Sequence, residues 1–228
     1  MNTQRKSSSK TYNNLLAAAA EVFAEKGYRD ATIAEICEKT RANIAAVNYH
    51  FGDKETLYRE AWRYSFSESI KAHPPDGGVS GDAPPEERLR GQIAALLHRV
   101  ADENNNKEFL IVQREFANPT GLLIEIMEEV IRPLQEQTQA LIRELIGPEA
   151  SDAQVQFCEI SIISQCINPM VLRRGDDTDN PPGIKNLKAY ANHVVQFSLA
   201  GIYKIQKEYR KKTFSRRNKV ERSQRGKL

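Results

Sequence analysis

Residues 31–58 read ATIAEICEKTRANIAAVNYHFGDKETLY, and the way this stretch divides into helices decides the fold. Thr32 with Glu35 three residues later is the pattern of a capping box, which predicts a helix from Ile33. Ile33, Ile36 and Cys37 then fall on one face at helical spacing. Thr40-Arg41-Ala42-Asn43 breaks the pattern, and Asn43 suits the N-cap of a second helix over residues 44–50. A helix of about two turns is marginal alone and has to be held by packing. At about 100° per residue, Val47 and Phe51 face inward. Ala45, Ala46, Tyr49 and His50 face the other way, with Asn48 on the flank. That outer arc is small, aromatic and free of acidic residues, which suits entry into a DNA major groove. Asp53 is placed to cap the next helix, and Lys54 in its first turn adds to the positive field of the helix end, where a phosphate is favoured.

The charge distribution agrees with a division of labour. Residues 1–64 hold 10 Lys and Arg against 8 Asp and Glu, a net +2; residues 65–203 hold 12 against 20, a net −8; residues 204–228 hold 11 against 2, a net +9. A polyanion is attracted by the ends of the chain and repelled by its middle. At 228 residues and 40% hydrophobic content the chain can bury a sizeable core. No signal peptide and no run of about 18 apolar residues occurs, so a soluble, cytoplasmic protein with no membrane partner is expected. Cys37, Cys158 and Cys166 form no C-x-x-C pair and are expected as buried thiols, with neither disulfide framework nor metal site.

Taken in order, residues 1–9 are a polar, flexible arm, either idle or able to reach a groove or phosphates. Residues 11–26 form a first helix with Leu15, Leu16, Ala19, Ala20 and Phe23 inward, closed by Gly27 as a left-handed cap. Residues 54–72 form a helix with Leu57, Ala61, Tyr64 and Phe66 as apolar positions. The stretch HPPDGGVSGDAPPEE, residues 73–87, reads as a flexible connection, with His73 solvated rather than a metal ligand. Further helices are expected over 86–103 (Ile93, Leu96, Leu97 and Val100 inward), 108–116, 122–146 with Pro133 either inside or at its start, 152–172 capped by Ser151 or Asp152, and 184–209. The helix over 152–172 is apolar nearly all round, through Val155, Phe157, Cys158, Ile160, Ile162, Ile163, Cys166, Ile167 and Met170, and needs partners on both sides. On the last helix Leu187, Ala191, Val194, Ser198, Gly201, Ile202 and Ile205 share a stripe. A polar loop over 173–183 separates the two. No strand pattern and no repeat is present. These last two long helices are the candidate homodimer interface, a four-helix bundle about a two-fold axis.

The stretch around residues 10–62 resembles the TetR family of bacterial repressors, whose helix-turn-helix ends in Tyr-His-Phe followed by Lys-Glu and Leu. Thr32, Ile36, Val47, Tyr49, His50, Phe51, Lys54, Glu55 and Leu57 match at the family's spacing. The family's turn usually carries glycine where this chain has Arg41, so the turn is either looser or puts Arg41 in a left-handed conformation. The resemblance implies an all-α fold with an N-terminal three-helix head and a C-terminal helical ligand-binding and dimerisation domain. The expected divisions are a flexible arm over 1–9, a DNA-binding domain over 10–64 with its helix-turn-helix at 32–51, a ligand-binding and dimerisation domain over 65–206, and a basic tail over 207–228. It also implies dimerisation through the last two helices and the spacing of two recognition helices to read a palindrome. The expected DNA contacts are Thr32, Asn43, Ile44, Ala45, Ala46, Asn48, Tyr49, His50 and Lys54.

The body is expected to hold a small-molecule inducer between its helices. Polar residues on apolar faces are the candidates to line it: Gln113, Arg114, Glu115 and Phe116; Gln165, Cys166 and Asn168; Tyr190 and His193. Arg-Glu-Phe followed by Asn-Pro, with Gln165-Cys166 later, is similar to one TetR subgroup with a characteristic C-terminal domain, whose members tend to govern efflux or envelope transport genes. The basic tail over 204–228 reads either as extra phosphate contacts or as a solvated, disordered tail, the second being preferred because it leaves the end of the body away from the head. No nucleophile elbow, glycine-rich phosphate loop, His-Glu-x-x-His or Walker motif is present, and no cofactor or enzyme activity is expected. The function expected is a ligand-released transcriptional repressor on a palindromic DNA operator; the alternative is a helical adaptor that never touches DNA.

Overall fold

The computed structural model describes residues 2–172 and 186–225, with side chains placed over 10–169 and 186–211. The expected loop at 173–183 and the side chain of Met170 lie outside the described residues. Among those described, the chain is all helix: α1 (Asn2–Asp30), α2 (Ile33–Thr40), α3 (Ile44–Phe51), α4 (Lys54–Ala72), α5 (Pro85–Ala101), α6 (Lys107–Ala117), α7 (Ile124–Ile146), α8 (Asp152–Leu172) and α9 (Leu187–Arg225). Two compact units result, Met1–Pro74 with His98–Arg132 and Pro75–Leu97 with Pro133–Leu228.

In the first unit α1 packs on α2, α4 and α6. Its stripe of Leu15, Leu16, Ala19, Ala20 and Phe23 is buried as the spacing predicts. The backbone of residues 2–9, expected as a flexible arm, is helical here; nothing in NTQRKSSS is a helix breaker. Gly27 interrupts the helix at φ 76, ψ 178. That is an extended-ψ conformation open to glycine, rather than the left-handed cap expected. On α4, Leu57, Ala61 and Phe66 are buried, while Tyr64 is half-buried. Tyr58 and Trp62, one turn apart, are the largest side chains buried on this helix. Each aromatic finds a partner for its polar end: Tyr58 OH donates to Glu115 Oε2 at 3.1 Å and Trp62 Nε1 to the Glu108 carbonyl at 3.3 Å.

A buried ion pair ties three helices of this unit together. Arg99 of α5, 5% exposed, donates to Ser69 Oγ of α4 at 3.0 Å and to Glu108 Oε1 of α6 at 3.2 Å. Its guanidinium carbon lies 5.0 Å from the Phe66 ring centre and 5.4 Å from that of Phe109. Glu108 is 2% exposed, and burial pushes its carboxyl up to about 6 despite Arg99.

His73 departs from expectation. It is half-buried, with Nε2 at 2.8 Å from Asp102 Oδ2 and its ring stacked on His98 at 5.9 Å. Asp102, held first by Asn105 and then by His73, is lowered to about 2. The partner lies 29 residues away, so local reading had only the flanking proline to go on. Among the described residues no group of three His, Cys, Asp or Glu is placed to hold a metal ion.

In the second unit the connection expected to be flexible is built of turns. Gly78 N donates to Asp76 Oδ1 at 2.8 Å, Val79 N to the Asp76 carbonyl at 3.2 Å, and Arg88 Nε to the Ala83 carbonyl at 2.9 Å. It lies directly on α5. A Cβ on Gly91 would come within 2.4 Å of the Asp76 carbonyl oxygen, and one on Gly77 within 2.5 Å of the Gly91 carbonyl oxygen. The core joins Leu89, Ile93 and Leu97 of α5, Leu141, Ile142 and Leu145 of α7, Val155, Cys158, Ile162 and Cys166 of α8, and Val194, Val195 and Ile202 of α9. Helix α7 runs through Pro133, and Ser151 caps α8 by accepting from Gln154 N at 3.2 Å. Helix α8 is not buried all round: Phe157 and Ile160 stay exposed. On α9 Val194, Ser198 and Ile202 point inward as expected, whereas Gly201 is exposed. All three cysteines are buried free thiols. No helix of the described residues is long and apolar enough to cross a membrane.

Candidate nucleic-acid interface

Local chemistry sets the geometry of residues 32–54. Glu35 N donates to Thr32 Oγ1 at 3.2 Å and Thr32 N to Glu35 Oε2 at 3.0 Å, which completes the capping box. Lys26, and then Thr32, hold the Glu35 carboxyl below its usual range. Helix α2 ends with Arg41 in the left-handed region at φ 56, ψ 28. Arg41 N donates to the Glu38 carbonyl at 3.2 Å and Ala42 N to the Cys37 carbonyl at 3.0 Å, the paired bonds of a Schellman motif. Of the two outcomes open for this turn, the strained arginine is the one realised. Asn43 then caps α3, its Oδ1 accepting from Ala46 N at 2.8 Å.

Helix α3 is pinned from behind by Val47 and Phe51, both buried. Phe51 stacks on Tyr12 of α1 at 4.9 Å. The opposite face is open: Tyr49 is 82% and Ile44 54% exposed, with Asn43, Ala45 and Asn48 also exposed. Ala46 and His50 are half-buried. His50 lies edge-on between Tyr12, at 5.6 Å, and Tyr49, at 5.0 Å, so it positions the exposed tyrosine. Thr32 is exposed, but its hydroxyl and N–H serve the cap. Lys54 is turned inward: Nζ donates to the Arg29 carbonyl at 3.4 Å and lies 4.7 Å from the Tyr28 ring centre, and burial lowers its pKa. Tyr12, which continues α1's inward stripe three and four residues before Leu15 and Leu16, was not among the expected site residues, nor was Arg41, an exposed cation beside the α3 N-terminus.

The residues expected to line a ligand site fall in both units. In the first, Arg114 Nε donates to the Ala24 carbonyl at 3.3 Å. Glu115 accepts from Tyr58 OH, Thr120 N and Gly121 N, and so organises the α6–α7 turn. Gln113 Oε1 is buried without a hydrogen-bond partner, and Phe116 is 80% exposed. In the second, Tyr190 OH donates to the Gln165 carbonyl at 2.8 Å, joining α8 to α9. Cys166 is fully buried, its thiol pushed up to about 12 by burial, while Asn168 and His193 are exposed. A cleft of about 140 Å³ opens between α1, α4 and the turn before α6, lined by Ala17, Glu21, Tyr64, Glu68 and Asn105 among others and by none of the expected ligand residues.

Comparison with known proteins bears on both parts of the chain. Residues 15–61 match the family described as bacterial regulatory proteins, tetR family. Residues 85–202 match the C-terminal domain of the HTH-type transcriptional dual regulator CecR. A protein of that name from Shigella flexneri is 29% identical over 177 residues, 72% of this chain and 76% of its own. In fold the chain is similar to a TetR-like transcriptional regulator from Rhodococcus sp. RHA1, at 17% identity and TM-score 0.65 over 85% of this chain and 96% of that one. The fatty acid degradation regulator FadR from Bacillus halodurans is another, at 18% identity and TM-score 0.62 over 83% and 98%.

Proposed function

Because this chain belongs to the TetR family of ligand-responsive, DNA-binding transcriptional regulators, in the branch with a CecR-type C-terminal domain, we propose that it is a homodimeric repressor that occupies a palindromic operator and leaves it when a small molecule binds its body. The observation that carries the reading is the face of α3: Tyr49 stands 82% exposed on a helix anchored by Val47 and Phe51. Asn43, Ile44, Ala45, Asn48 and Tyr49 are the contacts to base edges and backbone, Ala46 and Thr32 flank them, and His50 holds Tyr49 in place. Lys54 acts by fixing the start of α4 against Tyr28 and Arg29.

Residues 10–64 are the DNA-binding domain and 65–206 the sensor and dimerisation domain in this proposal. Phe157 and Ile160 of α8 and Phe197 of α9 support the dimer, since these large apolar side chains are exposed, and one turn beyond Phe197 the small Ala200 and Gly201 are exposed as well. The inducer site is assigned to the second unit, with Gln165 and Tyr190, which bond to each other there, as its candidate lining. The protein works in the cytoplasm, on its operator, with no membrane partner.

Sequencing the genomic fragments retained by the purified protein tests the reading, with transcription from the enriched promoters measured in both directions. The expected result is one enriched palindrome and transcription that rises when the protein is removed. Tyr49→Ala should weaken operator binding about tenfold or more, the scale of one good groove contact, with an unchanged melting temperature. Full affinity in Tyr49→Ala would show that α3 does not read the DNA.

A further inference from the structure

The C-terminal end of α9 carries a charge that neither the head nor the body explains. The helix continues to Arg225. It is rooted in the second unit by Ile205 and Tyr209, which pack against that unit's core. From Lys204 onward the chain has 11 Lys and Arg against Glu208 and Glu221. Among the described side chains Lys204, Lys207, Arg210 and Lys211 are exposed. No interval between successive cations from Lys204 to Arg225 exceeds four residues, so every turn of that part of the helix has at least one. At a rise of about 1.5 Å per residue, that is a cation roughly every 3 Å of helix, facing a polymer with about one charge per 1.7 Å.

Solubility does not account for the segment. Residues 1–203 hold 22 Lys and Arg against 28 Asp and Glu, a net −6, and the last 25 residues move the whole chain to +3. A solubilising tail on an anionic protein would add to the existing sign, whereas this one brings the net charge closer to zero. Membrane insertion is poorly supported as well. Between residues 212 and 225 only Phe214 and Val220 are apolar, too few for a face buried in an interface. A protein whose remaining 203 residues are net negative is repelled by DNA at long range, and a dense, acid-poor helix offsets that repulsion.

We propose that the basic end of α9 is a second nucleic-acid surface, one that holds the phosphate backbone of duplex DNA without regard to sequence and independently of the helix-turn-helix. It raises the local concentration of the protein on DNA while the head searches for its site.

The test is fluorescence anisotropy with a labelled random-sequence duplex of about 40 base pairs, which contains no operator, across a salt series. Three proteins are compared: the full-length protein, a truncated form ending at Lys211, and the full-length R216Q/R217Q/K219Q/R222Q variant, which keeps the helix length. Circular dichroism and sizing check their fold, and the neutralised full-length variant decides if truncation alters either. The slope of log affinity against log salt should fall by about 0.9 for each phosphate no longer neutralised. Four such phosphates would change the affinity ratio between the unaltered protein and its variants roughly a hundredfold between 50 and 200 mM salt. Both altered proteins should still prefer operator-bearing fragments to the random duplex, which separates this surface from the head. Equal slopes for the three proteins would overturn the proposal. So would loss of binding to phosphatidylglycerol vesicles with duplex binding unchanged.

Discussion

Arg41 occupies a conformation at φ 56 that its Cβ disfavours by about 1–2 kcal/mol, at the one point where α2 must reverse into α3. The Schellman bonds around it set the turn, so Arg41→Gly should keep the geometry and relieve the strain. The greater freedom of glycine in the unfolded chain offsets part of this. A net gain of about 0.5–1 kcal/mol is expected as a higher urea midpoint at constant slope; a lowered midpoint would mean that the arginine side chain contributes more than its backbone costs. Glu108 makes the stability pH-dependent. Its carboxyl titrates near 6 in the fold against 4.5 in the free chain. The folded state therefore holds the proton that the unfolded chain has released. The stabilisation is full below about 4.5 and lost as pH rises through about 6. Glu108→Gln removes that titration. The stability of the natural protein relative to the variant should grow by about 2 kcal/mol on acidification from pH 7 to 4, and a flat difference would show that Arg99 already holds Glu108 ionised. Residues whose partners are near in sequence, such as Thr32 with Glu35 and Asn43 with Ala46, were legible beforehand. The partners of Arg99 and His73 lie across helices and were not.

Elements were legible wherever apolar spacing and caps coincided, which is why α2, α3 and α4 start where Thr32, Asn43 and Asp53 say they should. The stretch before α5 differs from expectation because proline and glycine signal turns without saying whether those turns are closed. In the fold those turns are closed by their own hydrogen bonds and pressed on α5 at Gly91. A helix interior normally gains about 0.8–1 kcal/mol from glycine to alanine. Here the methyl of Gly91→Ala would meet the Asp76 carbonyl oxygen, a backbone atom, at 2.4 Å. The variant should lose about 1–3 kcal/mol instead, seen as a lower melting temperature; a gain would show that the 73–87 segment moves away without cost. Helix α8 teaches the complementary lesson. Its all-round apolar pattern signalled partners on both sides, yet within one chain its core contacts with α5, α7 and α9 use Val155, Cys158, Ile162 and Cys166 and leave Phe157 and Ile160 uncovered.

For the whole molecule, the proposed homodimer would cover that face. Ile160→Asp combined with Phe197→Asp places charge on exposed positions of α8 and α9 and leaves the core of the second unit intact. Sedimentation should show a monomer with native helicity, and operator affinity should fall at least a hundredfold, on the order expected when two half-sites no longer bind as one; a dimer that persists would place the interface elsewhere. The amino-acid sequence was enough to specify the helical fold, the helix-turn-helix and the identity of α3's outer face, because caps act within about four residues and a period of about 3.6 residues states which side is buried. Tertiary structure alone decided that Lys54 turns inward onto Tyr28, that His50 braces Tyr49, that Arg99 and Glu108 meet in the core, and which half of α8 is left bare. Each of these depends on a group supplied by another helix, Tyr12 of α1 in the case of His50, and no local periodicity encodes such a meeting.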